Sequence, residues 1–295
     1  MSVEQADERK PLLVFLNEVA GGRKLLQAVR ERQDQGQVSG VVVAAPQNQP
    51  SVGQLIDTDE VREAARARVE VTMALLSEFG IESIGEVLDP ESSLALDDAV
   101  RAHRPGEVLF SSLPDTRFGF MRRDLVEWVR DRCEPDVKLT HIPVRIEEDA
   151  IRWDLNHTLV VATKTVAAPD LIARMKDRAN VRPHRFTIIC PRAEDVSEAQ
   201  VVRDLASTLA ELYRADIDAT GQPMSPDPFL AVKNGIEHYR IDDILISTFA
   251  GERSQWLEDN LIGRVRDITE KSVEHIEVGR PATAVVAAVA EGEAG

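Results

Sequence analysis

Val108-Leu109-Phe110-Ser111 and, 136 positions further on, Ile244-Leu245-Ile246-Ser247 are two copies of one short apolar strand. An unbroken apolar run ended by a polar turn is what a strand buried on both faces requires. Working outward at the same offset, Gly85 meets Gly221, Pro90 meets Pro226, Leu94-Ala95 meets Leu230-Ala231 and Arg104 meets Arg240. On the far side Arg117 meets Arg253, and Val129-Arg130-Asp131 meets Val265-Arg266-Asp267. Residues 59–137 fall on 195–273 without a gap. Two unrelated amphipathic stretches can share a helical period, but they do not hold register through four elements and three loops. The chain is a tandem duplication.

Each copy alternates strand and helix. In the first, Leu12–Leu16 and Val41–Ala45 are apolar runs, a helix is expected near Arg23–Gln33, and another over about Asp59–Phe79. The second of these has Val61, Ala65, Val69, Met73 and Leu76 at helical spacing and Gly80 at its end, where a left-handed cap is easiest. A third strand is expected over Glu82–Leu88. The next helix opens with Asp89-Pro90-Glu91 in copy one and Ser225-Pro226-Asp227 in copy two, each read as N-cap, first-turn proline and first-turn acid. Lys138–Val144 and Val273–Val278 close the two copies. Apolar strands separated by helices imply parallel strands covered on both faces, with right-handed crossovers. The expected fold class is α/β: two tandem doubly wound parallel five-stranded sheets, each in the order 3-2-1-4-5. The expected boundaries are 11–147 and 152–278 for the domains, with flexible ends at 1–10 and 279–295.

Composition narrows the function classes. Hydrophobic residues make up 43% of the chain but aromatics only 4%, so two cores must be built from Val, Leu, Ile and Ala. The 35 basic and 51 acidic residues give a net charge of -16, which repels nucleic-acid phosphates and anionic membrane surfaces. The basic cluster Arg62, Arg66 and Arg68 is interleaved with Glu60, Glu63 and Glu70 and reads as a solvated helix face. No apolar run is long enough to span a membrane. Cys133 and Cys190 have no short spacing and no signal-peptide pattern precedes them, so reduced thiols in a cytoplasmic protein are expected.

In an open α/β sheet the binding crevice lies beyond the carboxyl ends of the strands, at the switch point between strands one and four. That rule selects Asn17, Ser111, Ser112 and Arg117 in copy one, and Thr163, Lys164, Thr165, Ser247, Thr248, Gly251, Arg253 and Ser254 in copy two. Ser254 precedes Gln255-Trp256-Leu257, where it would cap a helix and leave amides free for an anion; Arg253 and Lys164 are the cations within reach. Polar residues also occupy such turns for purely structural reasons. The six histidines show no metal-ligand spacing, and no Walker A loop, nucleophile elbow or GxGxxG is present. Cys190 ends an apolar strand and reads as an inert thiol, and the acid pairs Asp97-Asp98 and Asp242-Asp243 read as solvated.

At these residues the chain resembles the universal stress protein superfamily, over roughly 11–145 and 155–278. Asp242-Asp243-Ile244-Leu245-Ile246 resembles the family's approach to strand four, and Gly221 with Pro223 fits a Gly-x-Pro before the third helix. The resemblance implies the five-strand order, dimerisation through the last strands and, in nucleotide-binding members, a glycine-rich loop that holds ATP phosphates on backbone amides. Here the glycine positions of that loop carry Ala250, Arg253 and Asn260, or Pro114, Arg117 and Asp124, and the aspartate ending strand one is replaced by Asn17 and by Thr163 or Lys164. The chain therefore resembles a tandem member without the usual ATP loop. Pairing of the two copies through their last strands is implied as a built-in dimer. Three readings stay open: a non-enzymatic stress protein acting through a small molecule or a protein partner, an ATP or AMP sensor or weak ATPase with an arginine-based phosphate site, and a structural pseudo-dimer with no ligand.

Overall fold

A computed structural model describes residues 9–16, 22–47, 58–88, 92–112, 117–118, 123–124, 130–131, 133, 136–143, 155–191, 193, 195–224, 227–239, 241–251, 256 and 259–280. The chain divides into two compact units, Met1–Ile151 and Arg152–Gly295. In the first, β1 (Leu12–Leu16), α1 (Arg23–Asp34), β2 (Val41–Pro46), α2 (Thr58–Ser77), β3 (Ser83–Leu88), α3 (Ser92–His103) and β4 (Glu107–Ser112) alternate. A two-residue antiparallel pair, β5 (Arg117–Phe118) and β6 (Arg123–Asp124), then precedes β7 (Lys138–Pro143). The second unit contains β8 (Asn156–Val161), α4 (Pro169–Val181), β9 (His184–Pro191), α5 (Glu198–Arg214), β10 (Asp218–Met224), α6 (Pro228–His238), β11 (Asp243–Phe249), α7 (Leu261–Asp267) and β12 (Ser272–Val278).

Both sheets are wholly parallel and five-stranded, in the orders β3-β2-β1-β4-β7 and β10-β9-β8-β11-β12. This is the 3-2-1-4-5 order expected from sequence, twice over. In each sheet the central strands are sealed: β1, β2 and β9 are buried at every residue. The core is aliphatic, as the composition demands, with Phe15, Phe110 and Phe186 as its large fully buried aromatic residues. Burying one such side chain contributes roughly 1.5–3 kcal/mol, so these strands anchor each unit. On α2, Val61, Ala65, Val69 and Leu76 are buried and Met73 is half-buried, which confirms the face read from spacing.

Strand register shows how the copies correspond where sequence identity fades. Leu12 pairs with Glu107 and Thr158 pairs with Asp243, so β1 and β8 correspond at an offset of 146. The helices that come next keep that offset, beginning at Arg23 and Pro169. Leu12 pairs with Val41 and Thr158 with Phe186, so β2 and β9 correspond at 145. From the second helix the offset is 136, so copy one carries nine more residues between its second strand and second helix. Phe110 pairs with His141 and Ile246 with His275, which sets the closing strands at 134 and makes the two histidines true counterparts.

Two helix ends explain their own residues. Gly80 (φ 72°) and its counterpart Asp216 (φ 61°) are both left-handed and end α2 and α5 in the same way. Ile81 N donates to Leu76 O at 3.0 Å, and Ile217 N to Leu212 O at 2.9 Å. The start of α6 corrects the sequence reading. Its N-cap is Asp227, whose carboxylate accepts from the amides of Phe229 (2.8 Å) and Leu230 (3.1 Å), with Pro228 in the first turn. The carboxylate reaches two orphan amides, and Ser225 is two residues earlier in the sequence; Ser225, Pro226 and Asp89–Glu91 lie outside the described residues. Gly221 and Pro223 lie within β10, where a side chain at Gly221 would meet Leu205 Cδ1 at 2.8 Å. Among the described residues no helix is long and apolar enough to cross a membrane.

Candidate functional site

In the second unit the switch point falls between β8 and β11, with Ile246 paired to Val161. The turn that leaves β8 is fixed by three threonines. Thr163 Oγ1 donates to Pro191 O at the end of β9 (2.5 Å), and Thr165 Oγ1 donates to Ser247 O on β11 (3.1 Å). Thr208 Oγ1 on α5 donates to Val166 O at 2.9 Å. All three threonines are buried, and each hydroxyl is satisfied by a backbone carbonyl inside the unit. The backbone under Lys164 is therefore stapled to two strands and a helix. Lys164 Nζ reaches out to Asp195 Oδ2 at 2.5 Å, and that hydrogen bond, then the ammonium charge, holds the Asp195 carboxyl below the ordinary aspartate value.

On β11, Ser247 is 1% exposed and its hydroxyl has no hydrogen-bond partner among the described residues. Leaving a buried hydroxyl unmade costs about 1–3 kcal/mol, so it marks a place where a ligand or a water would be welcome. Its neighbour Thr248 is engaged, with Oγ1 2.8 Å from His275 Nε2; burial, opposed by Glu277, leaves His275 below the usual histidine range. Gly251, exposed in the turn beyond β11, has φ 72°, a conformation glycine adopts without strain. Asn260 also sits at a positive φ (50°), at a position where the resemblance implies a glycine. Arg253 and Ser254 lie outside the described residues; Trp256, two residues on, is helical, and α7 begins after Asn260.

In the first unit Ser111 is buried and pairs with Leu16 at the matching level. Asn17 lies outside the described residues. Ser112 ends β4, and Arg117 stands in β5 opposite Asp124. The structure thus brings Thr163, Lys164, Thr165, Ser247 and Thr248 to one set of strand ends, and it does the same for Ser111 and Ser112 in the first unit.

A second constellation, at the amino ends of the strands, has no counterpart in the sequence reading. Arg178 on α4 donates to Asp243 Oδ1 (2.6 Å) and Glu274 Oε2 (2.5 Å), and Arg174 adds a two-pronged contact to Glu274 (2.9 and 3.1 Å). Asp243 also accepts from Asn156 (2.6 Å) and Thr158 (2.7 Å), and His184 Nε2 lies 3.1 Å and 3.0 Å from those two side chains. Burial pushes the Asp243 carboxyl up, but hydrogen bonds from Asn156, Thr158 and Arg178 together hold it below the ordinary value. Burial likewise opposes, and Arg174 and Arg178 outweigh it, at Glu274. His184 is pushed down, by burial first, with Asp243 opposing and Arg178 and Arg182 adding to the effect. Asp243 is therefore a clamped carboxylate and not a solvated one, because its position opening β11 faces the last turn of α4. Asp98 fits the sequence reading, in an exposed contact with Arg101 at 3.5 Å.

The first unit repeats the clamp. Arg32, the counterpart of Arg178, grips Glu107 with two bonds (2.9 and 2.7 Å), and Thr140, the counterpart of Glu274, donates to Glu107 Oε1 at 2.6 Å. Cys190 is fully buried, and burial raises its thiol pKa, as expected of an inert cysteine. Among the described residues no cluster of three or more His, Cys, Asp or Glu side chains is placed to hold a metal ion.

No protein-family model matches the sequence, and no curated protein matches it. The chain is similar to solved universal stress protein structures. One, in complex with cAMP, is 12% identical and aligns over 43% of this chain and 99% of its own, with a TM-score of 0.34. A universal stress protein from Archaeoglobus fulgidus DSM 4304 is 16% identical over 91% of this chain and 96% of its own, with a TM-score of 0.35. The functionally unknown protein PA1789 from Pseudomonas aeruginosa PAO1 is 15% identical over 92% and 93%, with a TM-score of 0.31. The fold follows from the strand order and register of this chain itself.

Proposed function

We propose that the chain is a tandem universal-stress-protein-like protein of the cytoplasm that acts without catalysis, by holding a small anionic molecule at the carboxyl ends of β8 and β11. The observation that carries this reading is the Ser247 hydroxyl, buried at the switch point with no partner among the described residues and level with the stapled turn that presents Lys164. A preformed turn, an orphan hydroxyl and one ammonium suit a phosphate or carboxylate. ATP and AMP are the ligands to test first. The amide nest of the family's ATP loop is not rebuilt here, since Ala250 and Arg253 stand at two of its glycine positions. Lys164, Ser247 and Thr248, with Arg253 and Ser254 from the segment after β11, are the residues assigned to the anion. Two free cysteines far apart in sequence support a reducing compartment.

Thermal-shift titration with ATP, AMP and cyclic nucleotides tests the reading. A ligand at about a hundred times its dissociation constant adds roughly 2.7 kcal/mol of stability. A shift that disappears in Ser247→Val or Lys164→Ala is expected; no shift with any of them in the unsubstituted protein sinks the reading. As part of the same proposal, the closing strands β7 and β12, each an edge of its own sheet, are the surfaces through which the copies pair within one chain. Sedimentation should then find the full chain monomeric and the separately expressed halves associating; halves that stay apart count against it.

A further inference from the structure

We propose that the Lys164–Asp195 ion pair is a latch on the second unit's crevice: Asp195 occupies the ammonium that an anionic ligand needs, and binding proceeds by exchange of one carboxylate for the ligand. This rests on the reading of the crevice as an anion site. Thr163, Thr165 and Thr208 hold the turn that carries Lys164, so the exchange needs only the Lys164 side chain to move from the carboxylate to the ligand. Asp195 lies between the end of β9 and the N-cap Ser197 of α5, outside any element. The pair is open to water, with side chains 38% and 65% exposed, and an exposed pair of this kind is weak enough for a polyvalent anion to displace.

Comparison of the copies supports a device built into one unit alone. The offset of 146 that relates β1 to β8 and α1 to α4 places Glu18 at the position of Lys164. The offset of 136 places Asp59 at the position of Asp195. The first copy thus sets two acids where the second sets a cation and an acid. Asp59 also belongs to α2, which begins four residues earlier than α5 in equivalent numbering, so its backbone is helical where that of Asp195 is a connection. In the second copy an anion needs only to outcompete Asp195 for the ammonium.

Isothermal titration of the full chain with ATP and with inorganic tripolyphosphate tests the latch. Asp195→Asn removes the competing charge and should tighten binding of both probes by up to about fivefold, the most that an exposed pair is worth. Lys164→Ala should weaken both probes whether or not Asp195 is present. Equal affinities for Asp195→Asn and the unsubstituted chain, with binding still lost in Lys164→Ala, overturn the latch and leave the anion site standing. Absence of binding by every variant overturns the anion site, and the latch with it. Loss of affinity in Asp195→Asn assigns the carboxylate to holding the site open and also overturns the latch.

Discussion

The two units tie the last turn of the first helix to the acid that opens the fourth strand, but they do so with different partners. In the first unit Arg32 serves one carboxylate, Glu107, with Thr140 and Lys138 in support. In the second, Arg178 serves Asp243 and Glu274 together, and Asn156, Thr158 and His184 extend the network into β8 and β9. Leu12, wholly buried, stands where the second unit has Thr158. The two units share this geometry and differ in its chemistry, one carboxylate being served in the first and two in the second. A buried pair is not by itself strong evidence of stability, because desolvation offsets much of the attraction. The two units differ instead in vulnerability: without its arginine Asp243 keeps the neutral donors Asn156 and Thr158, whereas Glu107 keeps the cation Lys138.

The largest effect should come from Arg178→Met. It leaves Asp243 without its cation and Glu274 with Arg174 in place of two arginines, and should cost the second unit about 3–5 kcal/mol. Arg32→Met should cost the first unit roughly half as much, because Thr140 and Lys138 still face Glu107. The two cysteines report each unit separately: Cys190 is fully buried in the second and Cys133 half-buried in the first. Rates of alkylation under denaturant therefore measure both losses, and equal losses would erase the asymmetry.

Acid should separate the units next. His184 and His275, both in the second unit, are held below the ordinary histidine value of 6.5. The unfolded chain then takes up protons before the folded one as pH falls. Their contribution is complete above pH 6.5 and is lost as pH drops through the folded values. Glu107, Asp243 and Glu274 have lowered pKa values, so their contribution is present above the ordinary carboxylate range and is lost only as pH falls through it. The second unit should weaken first, from about pH 6.5 downward, and His184→Phe should remove part of that early loss. Simultaneous loss in both units, tracked by alkylation of the two cysteines, would contradict the assignment.

The smallest effects concern the paired helix ends. Gly80→Ala should destabilise the first unit by about 1 kcal/mol, because a side chain there has open space but the wrong backbone. Asp216→Gly should stabilise the second by about 0.5 kcal/mol or more, relieving the same left-handed strain. Urea midpoints check both, and shifts of the same sign would show that the two ends are not equivalent.

Sequence carried the fold nearly whole. Apolar runs located the strands to within a residue or two, and the gapless repeat from Asp59 onward implied that one sheet explains both. It carried less before Asp59, because the nine extra residues between the second strand and second helix break the register there. The switch-point rule found Thr163, Thr165 and Ser247, since it depends only on strand order. Their roles as staple and orphan were out of reach, because backbone carbonyls choose those partners in three dimensions. The clamp was missed for a related reason. Arg178 and Asp243 lie 65 residues apart, and a doublet of acids beside a strand has the composition of a solvated turn until the helix that crosses it is placed.

If duplication left one unit with an anion site and the other without, the stoichiometry of ATP binding to the intact chain, measured by calorimetry, tests it most directly. One site per chain, abolished by Lys164→Ala and kept in Glu18→Ala, is the predicted result. Two equivalent sites per chain, or one site indifferent to Lys164, would contradict it.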